Sequence, residues 1–347
     1  MATTRQSARK KKESDSFVDG PAGVGSKEHL NDLYRKMVEV RLFEEACGRG
    51  VRQGKVGGYL HVYIGQEAVA TGLLDAFKPG DAAITAYRDH AHALLLGSTP
   101  NEVMAELYGK GTGLVKGKGG SMHLFDVENG LWGGYGIVGG HIPLGVGMAY
   151  QMAYQQTGGV VQLYFGDGSI HNGAFHEAAN LSGLWGKTGM NPCLFILENN
   201  KYGMGTSVER STAMTDLARK FDSYGIEHET VDGTDLEAML EVAHRATERV
   251  RTTGKPYAIE AVSYRLSPHG AADFLEKYRS KDEVTKARQH EPIGVLEHRL
   301  LERGWATEAE MAVIRERARV MADEAVRFAE ESPEPSLDEL MTDVYAD

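Results

Sequence analysis

Cysteine is scarce in this 347-residue sequence, with Cys47 and Cys193 the two examples. The two could pair, but nothing points to a disulfide scaffold, so an intracellular, reducing setting is the simpler reading. Long hydrophobic runs are also missing: none approaches the ~20 apolar residues that cross a bilayer. The N-terminus carries no apolar core behind its basic residues, so no secretory signal is expected. Basic excess is absent too. The formal net charge is −11, whereas a nucleic-acid binder shows a basic face. Several catalytic signatures are incomplete. There is no G-x-S-x-G nucleophile elbow. The run "VKGKGGS" lacks the Gly-Lys-Ser/Thr ending of a P-loop. "HEAAN" (176–180) has Asn180 where a zinc-binding helix needs its second histidine.

What remains is an ordinary soluble composition, 41% hydrophobic and 25% charged, long enough for one large domain or two at most. Glycine is the exception. There are 42, and many fall between Gly109 and Gly147, so they have a local cause. Residues 1–25 are polar, with a short basic run at Arg9–Lys12, and are expected to be a disordered tail. The rest, 26–347, is expected to be a single α/β domain with an N-terminal helical region and a charged C-terminal helical tail.

Apolar residues Leu30, Leu33, Met37, Val40 and Phe43 recur at helical spacing, predicting an amphipathic helix over 28–47. Helices are also expected over 65–77 and 101–108, with a short strand at 83–86 ending at "YRDH". "GKGTGLVKGKGGSMHLF" reads as a long Gly/Lys loop. After it, strands and helices alternate: "VVQLYF" (160–165), a helix near 173–185, "CLFILE" (193–198), "GIEHETV" (225–231), a helix over 235–252, and "YAIEAVSY" (257–264). That alternation predicts a parallel sheet flanked by helices. No internal repeat is present.

Asp167 follows one expected strand, and Asn199–Asn200 follow the next. In a parallel sheet both lie at carboxyl ends, where open α/β sheets bind ligands. Gly166 and Gly168 let a ligand approach the backbone. The N–H groups of Gly168 and Ser169, entering a helix, suit a phosphate. A carboxylate, an amide oxygen and a backbone carbonyl are hard ligands that suit Mg²⁺. The same residues also suit a plain turn and a strand end.

The interval from GDG to NN resembles the thiamine diphosphate signature. "ENNKYGMGTSVER" (198–210), "YRDH" (87–90), "KGKGGSMH" (116–123), "GIVGGHIPLGVGMA" (136–149) and "YRSKDEV" (278–284) resemble, in order, segments of one protein type. That type is the alpha subunit of the decarboxylating component of the pyruvate dehydrogenase complex, in the 2-oxo acid dehydrogenase family. The resemblance covers roughly 28–347 and implies a thiamine diphosphate-binding fold of the diphosphate-binding type. Carried over residue by residue, it makes Asp167, Asn200 and the carbonyl of Tyr202 the Mg²⁺ ligands, with Asn199 supporting the turn. Tyr87 and Arg88 would hold the diphosphate, Arg88 with a fork that matches phosphate geometry. Gly136 would receive the aminopyrimidine amine, and Val138 would keep the cofactor bent. His61 and His269 would be active-site histidines. A surface or satisfied structural role is the ordinary fate of any single histidine.

The implied reaction is oxidative decarboxylation of pyruvate with acetyl transfer to a lipoyl group. Branched-chain 2-oxo acids and acetoin are alternatives within the family. The implied partners are a beta subunit completing the site in a heterotetramer, and the lipoyl domain of a dihydrolipoyl acyltransferase, in a bacterial cytoplasm. "YRLSPHGAADF" (264–274) departs from the family pattern: Gly270 and Ala272 stand where regulated relatives carry serines. Two rivals stand apart. "GYGIVG" (134–139) matches the dinucleotide fingerprint, but "VENGLWG" before it is a poor strand and no acid follows about twenty residues on. A scaffold that has lost its cofactor is the non-enzymatic reading. Glycines 139, 140, 145 and 147 with Ala149 are expected to give the 141–156 helix a small face for a neighbouring chain.

Overall fold

The computed structural model describes residues 24–273 and 277–345. Residues 1–23 of the expected tail lie outside the described residues. The strands, in chain order, are β1 (Ala82–Ala86), β2 (Leu131–Tyr135), β3 (Val161–Gly166), β4 (Cys193–Asn199), β5 (Tyr202–Gly203), β6 (Thr206–Ser207), β7 (Glu227–Asp232) and β8 (Tyr257–Val262). The helices are α1 (Lys27–Arg52), α2 (Glu67–Asp75), α3 (His90–Leu96), α4 (Pro100–Leu107), α5 (Ile142–Tyr154) and α6 (Gly173–Gly186). They continue with α7 (Val208–Ser211), α8 (Leu236–Thr253), α9 (Lys281–Arg288), α10 (Pro292–Glu302) and α11 (Glu308–Glu331).

Six strands form one sheet in the order β2-β1-β3-β4-β8-β7, and every pairing is parallel. The expected fold class is therefore present. Parallel strands need helices on both faces, and their side chains divide accordingly. Leu163, Phe165, Phe195 and Leu197 pack with Ile142, Val146 and Phe175 of α5 and α6. Tyr164, Leu194, Ile196 and Ile259 join Phe43, Leu73 and Met239 of α1, α2 and α8 on the other face. Each such fully buried side chain is worth about 1.5–3 kcal/mol of transfer free energy. At the α2–α8 crossing a Cβ on Gly72 would lie 2.6 Å from that of Met239, so a glycine is required there.

The topology prepares a crevice. The chain passes from β2 at the edge, over β1, to β3, so the connections after β1 and β3 run apart at their carboxyl ends. Ligands bind at such switch points. The β3–β4 register pairs Gly166 with Glu198. Asp167 and the Asn199–Asn200 pair consequently leave the sheet at one level.

Three expectations need correction. Leu131–Tyr135 is a strand, although "VENGLWG" reads poorly as one. Its alternation is lost because Gly133 and Gly134 occupy it. Phe125 would lie 2.3 Å from a Cβ at Gly133, and the Asp89 carboxylate 1.7 Å from one at Gly134. Close approach demands glycine, and glycine hides the pattern. This removes one ground for setting the dinucleotide reading aside; the missing acid about twenty residues on remains. Second, no α-helix opens at Gly168: a 3-10 turn spans Asp167–His171, and α6 begins at Gly173 behind the Asn172 cap. Third, the small residues of and before α5 do not share one outward face: of the two glycines within the helix, Gly145 faces inward and Gly147 outward. A Cβ on Gly145 would meet Leu163 and Ile84, Gly139 lies against Asn172, and Ala149 is buried. Among these small residues Gly147 faces open space, beside the exposed Leu144 and Tyr154.

Candidate active site

Short segments leaving the carboxyl ends of β1, β2, β3, β4 and β8 surround a cavity of about 480 Å³, and the residues singled out from the sequence all line it: His61, Tyr87, Arg88, Gly136, Val138, Asp167, Gly168, Ser169, Asn200, Tyr202 and His269.

A second cavity, of about 510 Å³, lies behind the His61 and His269 segments and is lined by Arg41, Arg49, Leu60, Val62 and Pro268 among others. That second cavity has none of the strand-end amides and carboxylates just named.

Backbone pairing brings the two histidines together. Leu266 N–H donates to Ile64 O at 3.1 Å and Ala271 N–H to Leu60 O at 2.9 Å. Gly65 (φ +100°) allows this, since a Cβ there would sit 2.3 Å from Tyr264 O. The His61 ring then lies 4.9 Å from that of His269 and 4.3 Å from Tyr87. Arg88 donates to Val62 O at 2.8 Å and to His269 O at 2.6 Å, with its Nη2 also 3.2 Å from His269 Nδ1. Burial, helped by the Arg88 charge, pushes His61 down to about 2 and His269 to about 3. Both rings are therefore neutral near pH 7, able to donate or accept one proton at a fixed position. His61 Nδ1 is buried without a hydrogen-bond partner among the described residues.

The acidic side of the cleft is also dry. Asp167 is 3% exposed, and burial raises its carboxyl to about 6. Asn200 donates from Nδ2 to Gln66 Oε1 at 3.1 Å, which turns its oxygen away from Gln66. Asn199 accepts from Lys201 N–H at 3.1 Å and donates to Glu260 at 2.7 Å, as a turn support would.

Arg265 is a functional candidate that the sequence reading missed. It is 1% exposed, and its Nη1 donates to Asn200 Oδ1 at 3.2 Å and to Tyr202 O at 3.0 Å. Its Nη2 donates to Met204 O and to the Tyr278 hydroxyl. The only sequence signal was its place in "YRLSPHG", three residues past the end of β8 but 65 from Asn200. Met122, His171 and Met204 also line the cleft without having been singled out.

The donor set fits a diphosphate and a hard cation. Asp167, Asn200 and Tyr202 present three oxygens of the kind Mg²⁺ takes. Two buried guanidinium groups, Arg88 and Arg265, face the same space. A Cβ on Gly166 would meet nothing within 4 Å, and one on Gly168 would come no closer than 3.4 Å to Gly203 Cα, so the backbone forms an open cradle.

The model of the dehydrogenase E1 component family matches residues 35–338. The chain is 43% identical over 320 residues to the pyruvate dehydrogenase E1 component subunit alpha of Rickettsia felis, covering 92% of this chain and 97% of that protein. It is 43% identical over 343 residues to the protein of the same name from Rhizobium meliloti, covering 99% and 97%. The Zymomonas mobilis protein of that name is 42% identical, covering 92% and 89%. The chain belongs to the dehydrogenase E1 component family.

Proposed function

We propose that this chain is the alpha subunit of a pyruvate dehydrogenase E1 component, an oxidoreductase that decarboxylates pyruvate and passes the acetyl group to a lipoyl acceptor. The observation that carries the reading is the convergence of all eleven sequence-selected residues on one cleft at the sheet's carboxyl ends. The identity to relatives bearing that name extends over almost their whole length. The chemistry supplied by bound thiamine diphosphate is an electron sink for loss of CO₂ from the 2-oxo acid.

The chain's own residues position and neutralise. Asp167, Asn200 Oδ1 and the Tyr202 carbonyl would hold Mg²⁺, and Arg265, which donates to the last two oxygens, would yield or share them. Tyr87, Arg88 and the N–H groups of Gly168 and Ser169 face the diphosphate. Gly136 O would accept from the aminopyrimidine amine, and Val138, 44% exposed at the lip, would pack against the cofactor. His61 and His269, neutral and paired edge to face, hold protons near the substrate. Residues 26–347 act as one diphosphate-binding domain. A beta subunit completes the site in a heterotetramer, and the lipoyl domain of a dihydrolipoyl acyltransferase is the acceptor, in a bacterial cytoplasm. No helix among the described residues is long and apolar enough to cross a membrane.

The test compares kcat/KM for pyruvate, 2-oxoisovalerate and acetoin in the chain assembled with its beta partner. Pyruvate should be preferred; a preference for either rival overturns the substrate assignment. Absence of turnover with all three, with cofactor binding also absent, would favour the scaffold reading.

A further inference from the structure

A buried pair of ionisable side chains stands close to the cleft without lining it. Glu44 of α1 is 1% exposed, and His90, at the start of α3, is fully buried. Burying such groups is costly unless their polar atoms are paired. Here they are. Glu44 Oε1 accepts from Tyr63 N–H at 2.8 Å, and Glu44 Oε2 lies 2.8 Å from His90 Nδ1. His90 Nε2 lies 3.1 Å from Ser121 O and 2.9 Å from Ser121 Oγ. A carbonyl oxygen only accepts, so Nε2 carries a proton. Burial works against charge on His90, but the Glu44 carboxylate and the Ser121 backbone outweigh it and raise its pKa.

Each contact ends on a segment that lines the cleft. Tyr63 is two residues from His61, His90 is two from Arg88, and Ser121 precedes Met122. A parallel bond ties the same turn to the same loop: Asp89 Oδ2 accepts from Leu124 N–H at 3.0 Å. Three segments far apart in sequence thus meet on two side chains anchored by α1. Glu44, Cys47 and His90 also lie close enough together to hold a metal ion. They offer three ligands where structural zinc takes four, and burial pushes the Cys47 thiol up, away from the thiolate that a metal needs.

We propose that Glu44 and His90 are positioning residues: with Ser121 they fix the spacing of the His61, Arg88 and Met122 segments and so hold the cleft in the shape that receives the diphosphate. The proposal rests on the reading of the cleft as a thiamine diphosphate site. Groups that touch a ligand keep their geometry only where a buried, hydrogen-bonded layer behind them holds it.

The experiment uses the chain assembled with its beta partner. It reads the Kd for thiamine diphosphate in Mg²⁺ by calorimetry, and backbone amide exchange at 61–64 and 119–124 before cofactor is added. Glu44→Leu removes both acceptor oxygens. It should weaken cofactor binding by roughly 10–100-fold, the usual loss when the support behind a ligating group goes, and speed exchange in both segments. Glu44→Gln keeps an oxygen for Tyr63 N–H and sets an N–H opposite His90 Nδ1, so it should bind and exchange nearly as wild type does. His90→Asn keeps a polar partner for Glu44 but falls short of Ser121. It should weaken binding and speed exchange at 119–124 alone, and it carries the test if Glu44→Leu does not fold. Wild-type affinity in Glu44→Leu or His90→Asn, or equal losses in Glu44→Gln and Glu44→Leu, overturns the proposal. Stoichiometric Zn²⁺ in the purified protein, lost in Cys47→Ala, overturns it in favour of a metal site. A wild type that binds no thiamine diphosphate overturns the reading of the cleft, and the exchange pattern of the variants still decides whether the pair spaces the three segments.

Discussion

Asp167 sits at the end of a buried strand with its carboxyl held up by burial, and no ion pair satisfies it among the described residues. Such a group is expensive to bury unless a cation joins it. Asp167→Ala should therefore abolish Mg²⁺-dependent thiamine diphosphate binding while leaving thermal unfolding of the cofactor-free chain unchanged or slightly raised. Calorimetric titration and a melting curve check both halves, and normal cofactor binding would sink the assignment. His269 differs, because it touches no proposed metal ligand directly. His269→Ala should bind cofactor but lose ~10²–10⁴-fold in turnover with the lipoyl acceptor, the usual contribution of a positioned proton-transfer group. Unchanged turnover in the assembled complex would demote it to a structural residue. A serine at position 270 is disfavoured sterically: a Cβ there would meet the Tyr59 ring at 2.2 Å.

At the scale of elements, the Gly/Lys loop shows what sequence patterns conceal. It resembles a phosphate cradle, yet the group it cradles is this chain's own Glu106, at the end of α4. Its Oε2 accepts from the N–H groups of Val115 and Gly117 at 3.0 and 2.8 Å. Its Oε1 accepts from those of Gly119 and Gly120 at 2.8 and 3.0 Å. Gly113 must be glycine because a Cβ would lie 2.3 Å from the carboxylate. Glu106→Gln replaces one acceptor oxygen by a donor and strands two N–H groups, at about 1–3 kcal/mol each. The variant should melt earlier and, because Met122 lines the cleft just beyond the loop, show a raised KM for thiamine diphosphate. An unchanged melting temperature would remove Glu106 from this role. The legible elements were those with continuous apolar runs: β3, β4 and β8, and helices α1 and α8, fall close to their expected spans. The β2 strand was illegible because contacts with Phe125 and Asp89 force glycines into it. Arg265 was illegible for a related reason, since only folding brings it onto Asn200 and Tyr202.

For the whole molecule, the main sheet has six strands, and helices, loops and the short β5–β6 pair surround it. Besides the two-stranded β5–β6 ribbon, no second sheet of comparable size is present among the described residues. The cleft lip carries exposed Ile137 and Val138, and α5 and α6 expose Leu144, Tyr154, Leu181 and Leu184. These are surfaces that a neighbouring chain would cover. The isolated chain should therefore bind thiamine diphosphate weakly and show no decarboxylation with an artificial electron acceptor. Adding the beta chain should restore turnover in proportion to complex formed, since a site shared between chains exists only in the assembly. Titrating beta into a fixed amount of this chain, and following activity beside sedimentation, makes the comparison direct. Full activity from the chain alone would mean that every catalytic group lies on it, and the shared-site model would fall.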